Sequence, residues 1–130
     1  MAEPSTPRFP GRAPIEAYGN AGFRFAGMSH RGSILCLASA IVAWDAPDPF
    51  DAAAALTPAH LAPVFAEKGA IEFLIIGTGR KQIFPTREMR QAFRDAGIGL
   101  DVMDTGAACR TYNVLLAEGR PLGAALVAVA

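Results

Sequence analysis

The sequence has few of the residues that mark several common protein classes. Only two of its 130 residues are cysteines, Cys36 and Cys109, and each lies among apolar neighbours without a metal-binding spacing. We therefore expect reduced, unpaired thiols and no bound metal or cofactor. A long hydrophobic run is also absent, because the longest nearly apolar stretch, residues 34–44, is far shorter than the ~20 residues that span a bilayer. The sequence therefore predicts no membrane span.

The chain lacks an excess of either charge sign. Lysine and arginine number 12, aspartate and glutamate number 12, and the formal net charge is +0. Nucleic-acid-binding domains usually carry a basic excess, so this balance argues against a nucleic-acid partner. The first residues also lack the apolar segment of a secretory signal, and we expect a cytoplasmic protein.

The hydrophobic content is high enough for one folded core. Hydrophobic residues make up 52% of the chain, which is typical of a globular domain and too high for a disordered one. Residues 1–14 contain four prolines and little to bury, so we predict a mobile proline-rich tail there. Residues 15–130 are then expected to form a single α/β domain.

Strand and helix patterns alternate in the second half of the chain. Strands are predicted at residues 71–76, 99–103 and 122–129, with helices at residues 85–97 and 107–117. We take Thr105 as the residue that caps the second of these helices. This alternation favours a mixed, mostly parallel core sheet with helices on one side.

The first half of the chain reads as β-rich, although its pattern is less decisive. Residues 23–25, 33–37 and 40–44 suit strands, but Ala38 and Ser39 are not typical turn residues. One long strand or a buried helix would also fit the apolar stretch around them.

Two segments resemble a known family. They are residues 75–79 (Ile-Ile-Gly-Thr-Gly) and residues 103–115, which include Asp-Thr-Gly-Ala-Ala-Cys-Arg-Thr-Tyr-Asn. They are similar to small domains without an agreed chemical activity, among them mitochondrial respiratory complex I (NADH dehydrogenase) assembly factor three and the adipogenesis-associated domain protein. The resemblance covers residues 15–129. It implies a compact α/β domain with an N-terminal β-rich layer, a hairpin around Ala38, and no established catalytic residues.

Two turns of the predicted parallel strands form a candidate pocket for a ligand or a partner. Backbone amides at a glycine turn or at a helix N-terminus can hold a small anion, and α/β sheets usually bind ligands at the carboxyl ends of strands. A dinucleotide fingerprint is not complete, because Gln82 stands at its third glycine position. The pocket hypothesis includes Gly77, Thr78, Gly79, Asp104, Thr105, Gly106, Arg110 and Asn113.

A basic surface is the second candidate site. Five basic residues cluster around one helix. The acidic residues that balance their charge lie elsewhere in the chain, notably in the loop at residues 45–51. A solvated helix face and a docking surface for an acidic protein both fit this pattern. The residues are Arg80, Lys81, Arg87, Arg90 and Arg94.

The resemblance and the lack of a convincing catalytic set together indicate a non-enzymatic assembly or protein-interaction factor. The alternative is a small-anion or metabolite-binding protein, with enzymatic activity left open, that uses the candidate pocket.

Overall fold

The computed structural model describes residues 8–130, and the first seven residues lie outside this range. Helices and strands alternate in its second half, as predicted. The strands are β1 (Arg8–Pro10), β2 (Ile15–Gly19), β3 (Gly22–Phe25), β4 (Met28–Arg31), β5 (Ile34–Cys36), β6 (Ala40–Ala43), β7 (Phe73–Gly77), β8 (Gly99–Met103) and β9 (Leu122–Leu126). The α-helices are α1 (Ala62–Ala66), α2 (Arg87–Ala96) and α3 (Thr105–Ala117), and short 3-10 turns lie at Ala53–Ala55 and Pro58–Leu61.

The strands of the described chain form two sheets. The larger sheet is mixed and has the order β1-β6-β5-β9-β7-β8, whereas β2, β3 and β4 form a three-stranded antiparallel sheet. Within the larger sheet, β7 pairs in parallel with β8 and β9, and the other three pairings are antiparallel. The α/β class, the mixed sheet and the N-terminal β-rich layer are thus confirmed, but the sheet is not mostly parallel, because only the β7–β8 and β7–β9 pairings are parallel.

The helices lie on both faces of the larger sheet, not on one side as the sequence pattern suggested. Ile75 of β7 packs with Tyr112 of α3, while Leu74 and Ile76 pack with Phe93 of α2 on the other face. The strand order explains this placement. The connection from β7 to β8 runs toward the sheet edge, and that from β8 to β9 runs back across β7. Right-handed crossovers in opposite directions place α2 and α3 on opposite faces.

The ordered sheet begins earlier than the predicted tail boundary at residue 14. Arg8, Phe9 and Pro10 pair with Val42, Ile41 and Ala40 of β6. Phe9 explains this pairing, because its ring stacks edge-on against Phe25 with centroids 6.1 Å apart. Residues 1–7 of the predicted tail lie outside the described range.

The turn between β5 and β6 is a hairpin, as the resemblance implied. Leu37 N–H donates to Ala40 O at 2.8 Å, and Ser39 N–H donates to the Glu67 carboxylate at 3.1 Å. The Ser39 hydroxyl donates to the same carboxylate. A residue distant in sequence therefore holds a turn whose own residues carry no strong turn signal.

Between residues 8 and 130, none of the helices combines the length and the apolar character that a membrane crossing requires.

Candidate functional site

The two predicted turns lie side by side at the carboxyl ends of β7 and β8. Thr105 N–H donates to Gly79 O at 2.8 Å, and Gly79 N–H donates to Thr105 Oγ1 at 2.9 Å. Thr78 N–H donates to Met103 O at 2.9 Å. The structure therefore brings together the Gly77–Thr78–Gly79 turn and the start of α3.

Thr105 joins three chain segments and does not cap α3. Its side chain is fully buried, and its hydroxyl donates to Val127 O at 2.7 Å while it accepts from Gly79 N–H. The cap is Asp104, whose Oδ1 accepts from Ala107 N–H at 2.9 Å. Both residue types are good caps, but the Thr105 hydroxyl is already occupied by the neighbouring turns.

The backbone amides of these turns are largely engaged within the protein. Thr78, Gly79, Thr105 and Ala107 each donate their N–H to a protein oxygen. The remaining early amide of α3 belongs to Gly106, and the Tyr18 ring lies so close that a Cβ at Gly106 would be 3.0 Å from Tyr18 Cζ. Few donors are left for an anion at the place where the sequence suggested one.

Arg110 and Asn113 do not join these turns in one pocket. Asn113 fastens α3 to the small sheet, because its Oδ1 accepts from Ile15 N–H at 2.7 Å and its Nδ2 donates to Ile15 O at 2.8 Å. Arg110 is exposed on α3. Asn113 is thus a structural hydrogen-bonding residue.

A cleft of about 780 Å³ does open beside the first turn. Thr78, Gly79, Arg80 and Lys81 line it, as do residues of the acidic loop. Those acidic side chains are Asp45, Asp48 and Asp51. The cleft therefore carries charges of both signs, and it excludes the α3 half of the predicted pocket.

The arginines of α2 form an exposed basic face. Arg87, Arg90 and Arg94 are all exposed, while Met89 and Phe93 on the same helix are buried. Arg94 donates to Gln91 Oε1 at 2.8 Å. Within residues 8–130, the ion pairs are Arg24–Glu16 and Arg120–Glu118, so none of the α2 arginines forms an ion pair in this range.

The two cysteines are free and buried in the structure. Burial raises the pKa of Cys36 from 9.0 to about 12, and burial also raises that of Cys109 from 9.0 to about 12. A protonated, buried thiol is a poor nucleophile. Over the described residues, no group of three or more His, Cys, Asp or Glu side chains is placed to hold a metal ion.

We expect these thiols to make the protein less stable in alkali. In the native state the pKa of Cys109 is about 12, whereas an unfolded thiol ionises near 9.0. The unfolded state therefore loses protons first, and the free energy of unfolding falls as the pH rises from about 9 to about 12. Burial also raises the pKa of Tyr112, which adds a loss of the same sign.

Urea unfolding at a series of alkaline pH values measures this slope. The variant Cys109→Ala should have a shallower slope than the wild type, because one of the three titrating groups is gone. Equal slopes in the two proteins would contradict the assignment.

Sequence reasoning missed two features near these sites. Phe84, in the loop before α2, is 61% exposed, and Gln82 donates its side-chain amide to Val102 O at 2.9 Å. An exposed phenylalanine has no sequence signature of its own, because an apolar residue beside a predicted helix is normally taken as core.

Comparisons with known proteins agree with the resemblance seen in the sequence. A family model described as "Protein of unknown function (DUF498/DUF598)" matches residues 15–127. An uncharacterized protein of Rhodobacter capsulatus is 36% identical over 124 residues, covering 95% of this chain and 91% of that protein.

A second relative carries a functional name. The mouse protein NADH dehydrogenase (ubiquinone) 1 alpha subcomplex assembly factor 3 is 33% identical over 119 residues, which cover 92% of this chain. The match spans only 62% of the mouse protein's length. Among solved structures, the crystal structure of an outer membrane protein from Bartonella henselae is 48% identical with a TM-score of 0.83, covering 94% of this chain and 99% of that one.

Proposed function

Because the chain belongs to the DUF498/DUF598 family of proteins of unknown function, we propose that it is a non-enzymatic assembly or protein-interaction factor. The names of its relatives support an assembly-factor-like role, since several are assembly factors of NADH dehydrogenase. We place this factor in the cytoplasm and assign it a protein partner, not a nucleic acid.

The exposed basic face of α2 is the observation that carries the proposal. Arg87, Arg90 and Arg94 lie at helical spacing i, i+3 and i+7, so they project from one side of α2. Arg80 and Lys81 add two exposed cations in the preceding loop. A cluster of one charge sign on a neutral protein can steer an acidic partner toward one orientation.

Reversing the charge of this face should abolish partner binding. We expect the triple variant Arg87→Glu/Arg90→Glu/Arg94→Glu to lose the partner, because three attractive contacts become repulsive. The fold should be retained, since exposed substitutions usually change the free energy of unfolding by about 0.5 kcal/mol or less. The measurement is the recovery of partner from an extract of the native organism on immobilised protein, at low salt.

A matched control keeps the charge change and moves it away from α2. Arg8 lies on the far edge strand, Arg31 in the small sheet and Arg110 on α3, and all three are exposed. The triple glutamate variant at these positions should recover the partner like the wild type. Unchanged recovery by the α2 variant would reduce the basic face to a solvated helix surface.

A small anionic metabolite in the cleft beside Thr78 is the second candidate function. The cleft's position at the carboxyl end of β7 favours it, because α/β sheets commonly bind ligands there. A thermal-shift titration with phosphate and small carboxylates tests it. Under this alternative, wild type should gain stability with ligand, and Arg80→Ala should gain less; no ligand-dependent shift would reject the cleft.

A further inference from the structure

Strand β8 leaves one edge of the larger sheet open. It is the last strand of the order β1-β6-β5-β9-β7-β8 and pairs only with β7. Gly99 N–H donates to Glu72 O at 2.9 Å, and Met103 O accepts from Thr78 N–H at 2.9 Å, so these two residues turn their backbone groups toward β7. Backbone direction alternates along a strand, and Leu100 and Val102 therefore turn theirs toward the open edge.

One of these outward-facing backbone groups, the Val102 carbonyl, already accepts a hydrogen bond, and the position of its donor agrees with an outward direction. Val102 O accepts from Gln82 Nε2 at 2.9 Å, as a carbonyl on the open edge can. Within the part of the chain that the structure describes, no side-chain or loop donor or acceptor meets Leu100 N, Leu100 O or Val102 N. The edge thus offers two free donors, the N–H groups of Leu100 and Val102, and one free acceptor, the Leu100 carbonyl. The Gln82 side chain covers the Val102 carbonyl.

The two edges of the larger sheet differ in their protection. The opposite edge strand, β1, has three residues and ends in Pro10, which has no N–H to donate. β8 has five residues and contains no proline. Proteins usually blunt an edge strand with short length, proline or charge, and β8 has only the single charge of Asp101.

A groove of about 430 Å³ runs beside the open edge. Its lining combines apolar residues of α2, of β8 and of the turn between them with the exposed Phe84, two arginines of the basic face and one acidic residue, Asp101. The apolar residues are Phe93, Ile98, Leu100 and Val102, and the arginines are Arg90 and Arg94. Side chains of a strand added to β8 would enter this groove at every second position.

We infer that the open edge of β8 binds an extended, acidic segment of the partner protein by strand addition. Main-chain hydrogen bonds to Leu100 and Val102 hold the segment, and its groove-facing side chains carry carboxylates that meet Arg90 and Arg94. An apolar side chain between them packs near Phe84 and Phe93. The inference rests on the proposed function, because it names how the partner of the basic face is held.

The test uses the full chain, labelled with ¹⁵N, and a synthetic peptide as the probe. The peptide is acetyl-Glu-Thr-Val-Thr-Glu-amide, in which glutamate and valine share one face of a strand. We expect addition of peptide to shift the backbone amide resonances of Leu100 and Val102 and the side-chain amide of Gln82. Shifts confined to α2 would overturn strand addition while leaving the basic face as a docking surface.

Two methylated peptides separate main-chain pairing from charge. One carries N-methyl groups on its Glu and Val amides, and the other on its Thr amides, so the side chains and charge are identical. Only one of these sets faces β8 in any strand register, whichever direction the peptide runs. We expect one peptide to bind at least tenfold more weakly and the other to bind like the parent, whereas equal effects would overturn the inference.

Substitution of Gln82 should strengthen peptide binding, whereas the methyl groups weaken it. Gln82→Ala removes the side chain that competes for Val102 O, and the peptide should bind about fivefold more tightly. Val114→Ala, a truncation of an exposed side chain on α3 at the opposite face of the sheet, is the control and should leave the affinity unchanged. A concentration-dependent dimer that shifts the Leu100 and Val102 amides without peptide would assign the edge to a second copy and overturn the proposal. The two proposals can fail separately. If the α2 variant loses the native partner but the peptide does not bind at β8, the proposed function stands and strand addition is rejected.

Discussion

Replacing Thr105 by valine should destabilise the protein by about 2 to 4 kcal/mol. Valine has nearly the same shape, so packing changes little, but the hydroxyl is lost. Gly79 N–H then has no acceptor at the buried turn, and Val127 O loses its 2.7 Å donor. A buried polar group without a partner costs about 1 to 3 kcal/mol.

Urea unfolding of wild type, Thr105→Val and Thr105→Ser measures this effect. Serine keeps the hydroxyl and removes a methyl group, so its loss of stability should be the smaller of the two. A valine variant as stable as the wild type would contradict the role of Thr105 as the link between the two turns and Val127, the residue after β9.

Replacing Gly77 by valine is the second substitution with a large expected effect. At this position the end of β7 approaches α3 so closely that a Cβ would lie 3.0 Å from Thr105 Cα and 3.0 Å from Ala108 Cβ. Leu126 Cδ2 would be 3.1 Å away. Because Thr105 Cα belongs to the backbone of α3, the helix itself would have to move, at a cost of about 3 kcal/mol.

Thermal unfolding distinguishes this clash from a general cost of losing glycine. The melting temperature of Gly77→Val should fall by about 10 °C. Gly69→Ala is the control, because nothing lies within 4 Å of its added Cβ and its backbone is not left-handed. Similar melting temperatures for Gly77→Val and wild type would show that β7 and α3 are not packed as described.

Local patterns predicted the second half of the fold well. Residues 99–103 form β8 with the bounds that the sequence indicated, and Gly97 ends α2 in the left-handed region with φ 72°. The predicted start of α2 at Pro85 was two residues early, because Thr86 caps the helix by accepting from Met89 N–H at 3.1 Å. Such signals lie within a few residues of the element that they define.

Features that depend on distant residues could not be predicted in the same way. The role of Thr105 rests on Val127 and Gly79, which are 22 and 26 residues away. The placement of α2 and α3 on opposite faces rests on strand order, which periodicity does not contain. β1 was missed because its proline-rich surroundings suggest a tail, and only its partner β6 makes it a strand.

The two candidate sites differ in the same way, because one follows from a local pattern and the other depends on residues distant in sequence. The basic face of α2 followed from helical spacing alone, and the structure places Arg87, Arg90 and Arg94 in solvent as that spacing requires. The anion pocket depended on unoccupied amides at the two turns. Their hydrogen bonds to each other and to Val127 could only be seen in three dimensions.

Photo-crosslinking in cells of the native organism tests most directly whether the partner binds at α2. Benzoylphenylalanine is introduced either at Arg87, on the basic face, or at Val114, which is 58% exposed on α3 at the opposite face of the sheet. We expect irradiation to yield a protein adduct from position 87 and none from position 114. An adduct from position 114, with none from position 87, would contradict the assignment of the basic face as the partner-binding surface.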